Sequence, residues 1–441
     1  MVAAIKAAAP GLMVEYKLPV IMTNPDGSKR GKGGLEPDEA CELAVLLERA
    51  GVDMIQVAQA NHTGNIVDRI PPMGSMPFIW RVAVAARVKS LVGIPVATVG
   101  RVVTPEAGEK ILEDGQADVI GYGRSLLADP DIALKVASGE PVRLCLNCNK
   151  GCVDAIQGRR YISCVLNAEN GDEETVFIRP GDGDKCVAVV GGGIAGCEAA
   201  RVAARRGYRV TLFERAERLG GQIELAAAPP RKAEIMRSVE YYERVLPELG
   251  VDVRLGTAAG PADLEGFDAA IVAVGASNVT LPVPGSDRDN VVSAWDVLAG
   301  RVVPEGRVAV IGGGLVGTET AEYLLARGCE VSIVEMLDKI AEGESGTVLP
   351  TIMAEFAERG VEQLTGTRVT AISDAGVEAE RAGEPVVVPC DWVVMAVGSR
   401  ALPFDVSGVA CPVTCVGDCS GERTADIASA IRTAYAAANQ I

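Results

Sequence analysis

The sequence predicts an α/β protein in which a run of barrel-type βαβ units is followed by two Rossmann-like units. Three observations carry this. Short β-branched runs alternate with helical patterns over residues 1–140, four cysteines cluster after them, and two G-x-G-x-x-G loops each follow a strand and open a helix. The chain of 441 residues is long enough for about three domains, on a prior of roughly 100–200 residues each. Its 48% hydrophobic and 23% charged residues describe a globular chain, and its 50 glycines already suggest nucleotide loops.

A formal charge of −17 and a pI near 4.7 leave no net basic field, which argues against nucleic acid or an anionic membrane as a partner. No apolar run reaches the roughly 18 residues of a membrane span. The first twenty residues carry Lys6, Pro10, Glu15 and Lys17 where a signal peptide needs an unbroken apolar stretch, so a cytoplasmic location is expected. Twelve cysteines in such a chain point to metal or redox use rather than a disulfide framework.

Taken in order, Leu12–Leu18, Met54–Gln59, Pro95–Gly100 and Val119–Gly123 read as strands, and Pro37–Ala50, Ile79–Val88 and Pro105–Asp114 as helices. Lys17, Gln59, Arg101 and Arg124 mark the strand ends, the pattern of a (β/α) barrel whose site lies at the strand C-termini. Four such units can be counted, and a closed barrel needs eight.

Cys145, Cys148, Cys152 and Cys164 then give C-x2-C-x3-C-x11-C, a spacing with which four thiolates can wrap a [4Fe–4S] cube. Zinc or unligated thiols are the alternative, although structural zinc more often uses two separated C-x2-C knuckles. A later trio, Cys411, Cys415 and Cys419, brackets Gly417 and Asp418 and reads as packing. The acidic, glycine-rich stretch Asn170 to Asp184 reads as a linker.

The first glycine loop has Gly191, Gly193 and Gly196, with Glu214 ending the next strand; the second has Gly312, Gly314 and Gly317, with Glu335. In such a loop the first glycine makes the turn, the second lets a pyrophosphate reach the backbone amides at the helix start, and the third allows close packing. The glutamate takes the adenosine ribose hydroxyls. No C-x-x-C lies in either nucleotide unit, which disfavours disulfide reduction.

Residues 186–441 resemble the two-dinucleotide flavoproteins of the glutathione-reductase type. Arg218-Leu219-Gly220-Gly221-Gln222 is similar to the stretch that closes over FAD there, and Val416-Gly417-Asp418 to the second FAD motif. The resemblance assigns FAD to the first loop, with Glu214, Arg215, Gly221, Gln222, Gly417 and Asp418. It assigns the nicotinamide nucleotide to the second, because Ala273-Val274-Gly275-Ala276 and Ala396-Val397-Gly398-Ser399 bracket it. Glu335 favours NADH over NADPH, with Lys339 the residue that could still reach a 2′-phosphate. A vestigial second site that holds only ADP is the competing reading.

The whole order resembles the 2,4-dienoyl-CoA reductase, enoate reductase and trimethylamine dehydrogenase family of the Old Yellow Enzyme class. That resemblance implies NADH, FAD, a [4Fe–4S] cluster and FMN in series, and reduction of an activated C=C bond. It places Lys17 at the flavin ring, Gly100, Arg101, Gly123 and Arg124 at the FMN phosphate, and His62 in the proton network. The implied domains are a C-terminal half barrel over 1–140, an iron–sulfur segment and linker over 141–183, FAD-binding parts over 184–300 and 404–441, and a nicotinamide domain over 301–403. Relatives carry four earlier βα units, so FMN binding by this chain alone is in question, and a partner or a second copy is expected to complete the barrel. An electron-transfer subunit with NADH:acceptor activity, and an amine dehydrogenase, are the alternative functions.

Overall fold

The computed structural model describes residues 1–23, 29–30, 34–59, 70–74, 80–421 and 426–441. The chain divides into two compact units, Met1–Asn149 and Lys150–Ile441.

The first unit is built on four parallel strands in chain order, β1 (Glu15–Val20), β2 (Met54–Gln59), β3 (Val96–Val99) and β4 (Val119–Gly121). Strands that pair successively and in parallel need a crossover each time. Helices α1 (Pro37–Arg49) and α2 (Trp80–Lys89) supply the first two, and α3 (Pro105–Glu113) the third. Pro37 opens α1 with its fixed φ, and Glu36 and Glu39 cap it reciprocally. The buried residues of α1 are Ala40, Cys41, Ala44 and Leu47, one face at helical spacing. They pack with Val84, Ala85 and Val88 of α2 against Leu18, Val20, Ile55, Val57 and Val96 of the sheet. Each fully buried Leu, Ile or Val contributes about 1.5–3 kcal/mol relative to exposure. Thr104 caps α3 by accepting the Ala107 N–H at 3.2 Å, which ends the loop after β3 that carries Gly100 and Arg101.

In the second unit, β5 (Cys186–Val190) runs through the first glycine loop into α4 (Ile194–Arg205) and then β6 (Arg209–Phe213). These strands lie in a five-stranded parallel sheet in the order Val413–Cys415, Ala269–Val272, β5, β6, Asp252–Arg254. The same design returns with β7 (Arg307–Ile311), α5 (Leu315–Ala326) and β8 (Glu330–Val334), in a sheet ordered Val291–Ser293, Trp392–Met395, β7, β8, Glu362–Leu364. One face of this second sheet packs on α5 and on Ile352 and Phe356. The other is covered by an antiparallel sheet of Thr367–Ser373, Gly376–Arg381 and Glu384–Val388. The two chain crossings between these two parallel sheets, Ala276–Asn278 and Ser399–Ala401, pair antiparallel, so the part of the chain that carries the second sheet is tied at its neck.

Residues 169–182, linker-like in composition, are fastened to this second unit. Glu169 accepts from the Tyr435 hydroxyl at 2.8 Å, the Phe177 carbonyl from Asn439 at 2.8 Å, and Asp182 from the Tyr208 hydroxyl at 3.1 Å. Among the described residues, no helix is long and apolar enough to cross a membrane.

Candidate functional site

The two glycine loops are geometric copies. Gly191 and Gly312 have φ of 105° and 99°, a region open to glycine. A Cβ on Gly196 or Gly317 would collide with the carbonyl oxygen of Gly191 or Gly312, which is how the helix comes so close to the strand. A Cβ on Gly193 or Gly314 would meet no atom within 4 Å. The middle glycine therefore faces open space at the helix N-terminus, where a pyrophosphate fits.

Glu214 is buried; one carboxylate oxygen accepts the Gly192 N–H at 2.6 Å and the other the Ala216 N–H at 2.8 Å. Glu335 repeats this with Gly313 at 2.5 Å and Leu337 at 2.7 Å. Each glutamate thus ties its glycine loop to the residues after the second strand, with both carboxylate oxygens fixed by backbone N–H groups. Arg215, next to Glu214, is exposed.

Gln222 donates to Asp418 at 2.7 Å, joining two residues far apart in sequence that were both expected at FAD. Gly221 and Gly417 have φ of 54° and 64°. Gly275, at φ 80°, lies where a Cβ would stand 3.3 Å from the Gln222 amide, so it adjoins the Gln222–Asp418 pair. Gly398, at φ 109°, directly precedes the neck strand that starts at Ser399. Cys419 donates to the Val272 and Val416 carbonyls at 3.2 Å and packs with Cys411 on the adjoining core, which is a packing role.

In the first unit a cavity of about 240 Å³ gathers Lys17, Gly100, Arg101, Gly123 and Arg124. Arg101 is held at φ 62°, a conformation that aims it differently from a residue continuing the strand. Lys17, Arg101 and Arg124 bring three cationic side chains to one small cavity, a donor set of the kind that could hold a dianion. The strand-end expectation is corrected in one respect: Lys17 is the third residue of the six in β1, and reaches the cavity from within the strand. Arg101 and Arg124 do follow β3 and β4. His62 lies outside the described residues.

Sequence reasoning passed over Asn147 and Asn149. Asn147 lines the cavity, and Asn149 accepts from Arg124 Nη1 at 2.5 Å. Both have positive φ, 55° and 61°. The alternation of asparagine with cysteine in Cys145-Leu146-Asn147-Cys148-Asn149 was the available signal, because asparagine is the side-chain-bearing residue that best tolerates this region.

Within the cysteine segment, the Asn147 N–H donates to Cys145 Sγ at 3.3 Å. Cys152 precedes the short helix Val153–Gln157, and the Ser163 N–H donates to the Gly151 carbonyl at 2.8 Å, which sets the residues before Cys152 and Cys164 side by side. Among the described residues, no three His, Cys, Asp or Glu side chains form a group placed to hold a metal ion, so the cluster assignment rests on the cysteine spacing.

Two family models match the chain: pyridine nucleotide-disulphide oxidoreductase over residues 185–415, and the NADH:flavin oxidoreductase / NADH oxidase family over residues 27–142. A bilirubin reductase of Mediterraneibacter gnavus is 51% identical, over 99% of this chain and 68% of that protein. A cinnamate reductase of Clostridium sporogenes is 34% identical, over 85% of this chain and 56% of that protein. The solved structure of a 2-naphthoyl-CoA reductase with 2-naphthoyl-CoA superposes with a TM-score of 0.85 at 26% identity, over 98% of this chain and 65% of that one. The chain thus spans roughly two thirds or less of the length of these relatives. A flavin-type barrel segment joined to paired dinucleotide folds places it among them: the chain belongs to the enoate reductase and Old Yellow Enzyme-like family of NADH:flavin oxidoreductases.

Proposed function

We propose that this chain takes hydride from NADH onto FAD and passes the electrons, through a [4Fe–4S] cluster on Cys145, Cys148, Cys152 and Cys164, to FMN for reduction of an activated C=C bond. The observation that carries this reading is the convergence of Lys17, Arg101 and Arg124 on one cavity, in a chain whose other unit holds two complete dinucleotide loops. A nicotinamide supplies two electrons at once and a cluster transfers them singly, so flavins at both ends match the two steps.

The chain's own residues bind and orient. The open faces at Gly193 and Gly314 receive pyrophosphates, Glu214 and Glu335 hold riboses, and the Gln222–Asp418 pair stands at the FAD second motif. Lys17 sits at the flavin ring and the two arginines hold its phosphate. His62 serves the proton that completes reduction of the substrate carbon. The 51% identity to a bilirubin reductase and the likeness to a cinnamate reductase support conjugated carbonyl compounds as the substrate class.

The test is anaerobic purification with iron and flavin analysis, followed by NADH-driven assays on cinnamate-type enoates, enoyl-CoA esters, bilirubin and an artificial dye. Product from any of the first three supports the reading. Dye reduction alone supports the NADH:acceptor alternative, and turnover of methylated amines the dehydrogenase alternative.

A further inference from the structure

We propose that the strap of residues 341–348 joins the second glycine loop to the helix that follows Cys152, and that Ser345 is the positioning residue through which nucleotide binding at that loop steadies this helix. This rests on the assignment of the nicotinamide nucleotide to the second loop. Every contact involved lies within the second unit.

At one end the strap is built onto the loop itself. The Ala341 N–H donates to the Gly313 carbonyl at 2.7 Å, and a Cβ on Gly313 would stand 2.5 Å from Ile340 Cγ2. Ala341 is buried and held at φ 54°, a conformation that costs a residue with a side chain about 1–3 kcal/mol and persists only where its surroundings dictate it. The Glu344 N–H returns to the Ala341 carbonyl at 3.1 Å, which closes a turn and delivers Ser345 to the other end. There Ser345, 1% exposed, donates from its hydroxyl to Asp154 Oδ1 at 3.0 Å. Asp154 stands in the first turn of Val153–Gln157, the helix that begins directly after Cys152. Beside it, Glu344 pairs with Lys150 at 3.6 Å and accepts the Ser345 N–H at 2.7 Å.

A hydroxyl has one proton to give and two lone pairs to fill. The Ser345 oxygen accepts the Thr347 N–H at 3.2 Å and lies 2.8 Å from the Thr347 hydroxyl, so its proton is left pointing at Asp154 and cannot rotate away. A pyrophosphate at Gly314 restricts the loop that includes Gly313, and a buried, turn-locked contact carries that restriction to the segment that holds Cys152. Packed hydrogen bonds between two sites are a physical route for such coupling, and the coupling is reciprocal. A fastening that served stability alone would hold the helix equally with and without nucleotide.

The test is amide hydrogen exchange of the full chain, read by mass spectrometry with and without saturating NAD+, an oxidised probe that delivers no electrons. In the wild type NAD+ should slow exchange over residues 312–318 and also at Ile156 and Gly158, whose N–H groups donate to the Cys152 and Asp154 carbonyls at 3.0 and 2.9 Å. The slowing at those two amides is expected to be at least about fivefold, the lower end of couplings between sites. Ser345→Ala should keep the slowing over 312–318 and lose it at Ile156 and Gly158. Asp154→Ala, which removes the acceptor from the other side, should do the same, whereas Asp154→Asn keeps a partner for the hydroxyl and should retain both effects. Slowing at one place only in the wild type, or full slowing at Ile156 and Gly158 in either alanine variant, overturns this inference alone. Slowing at neither place in the wild type overturns it together with the assignment of the nicotinamide nucleotide to the second loop.

Discussion

Gly193 and Gly314 separate what the fold needs from what a ligand needs. Open space surrounds a Cβ at either position, so alanine there should fold with an unchanged melting temperature and fill the room a pyrophosphate occupies. Gly193→Ala is expected to be purified without FAD. Gly314→Ala should keep FAD but lose its reduction by NADH, which stopped-flow bleaching of the flavin would read. A fully reducible Gly314→Ala would support the vestigial reading of the second loop. The charge at Glu335 makes a second residue-scale claim. Both of its oxygens are fixed by the backbone N–H groups of Gly313 and Leu337, so the carboxylate cannot swing away from a 2′-phosphate. Glu335→Gln removes the charge and keeps an acceptor. It should narrow the preference for NADH over NADPH on the order of tenfold, about 1.4 kcal/mol, which lies between the repulsion of two unit charges about 4 Å apart in water, about 1 kcal/mol, and near a protein surface, about 4 kcal/mol. Equal rates with both nucleotides in the wild type would refute the role given to Glu335.

At the scale of elements, α5 does more than carry the second glycine loop. Its buried Glu319 and Glu322, three apart and therefore on one face, meet Lys232 and Arg231 of the segment before the helix Arg237–Glu248; Arg231 also reaches Glu355 at 2.7 Å. Burial, with smaller repulsion from Glu355 and Glu319, raises the pKa of Glu322, and Arg231 lowers it. Burial wins and leaves it at about 7. Between about 4.5, its ordinary value, and about 7 the folded chain holds a proton that the unfolded chain has lost, so Glu322 lowers stability as pH rises through that window. Glu322→Gln should therefore gain stability relative to the wild type, by on the order of 2 kcal/mol, between about pH 5 and about pH 8. Melting curves across that range check it, and parallel curves would contradict the shift. None of this pairing was legible in the sequence, because Arg231 and Lys232 lie in an unremarkable loop some 90 residues from their partners. The glycine loops were legible for the converse reason. Their demands are local, a positive φ and a close approach inside one βαβ unit. Lys17 was found as a residue but misplaced on its strand, since β1 extends to Val20 through residues whose burial only the folded sheet reveals. Asn149 escaped because its partner, Arg124, is supplied by tertiary contact.

The whole molecule distributes its chemistry over two compact units, each with its own core. Both dinucleotide loops, their glutamates and the Gln222–Asp418 pair are assembled inside the second unit, by strands and helices between Cys186 and Gln440. The cationic cavity is assembled inside the first. FAD binding should accordingly be independent of the first unit's residues, Cys148 among them. Cys148→Ser is expected to lose its iron, from about four per chain to well below that, while FAD remains stoichiometric and the flavin is still reduced by NADH. Iron and flavin analysis of anaerobically prepared wild type and variant decides it. Zinc in place of iron in the wild type would refute the cluster assignment. Loss of FAD along with the iron would show instead that the nucleotide sites depend on the cysteine segment, against the separation of cores that the fold displays.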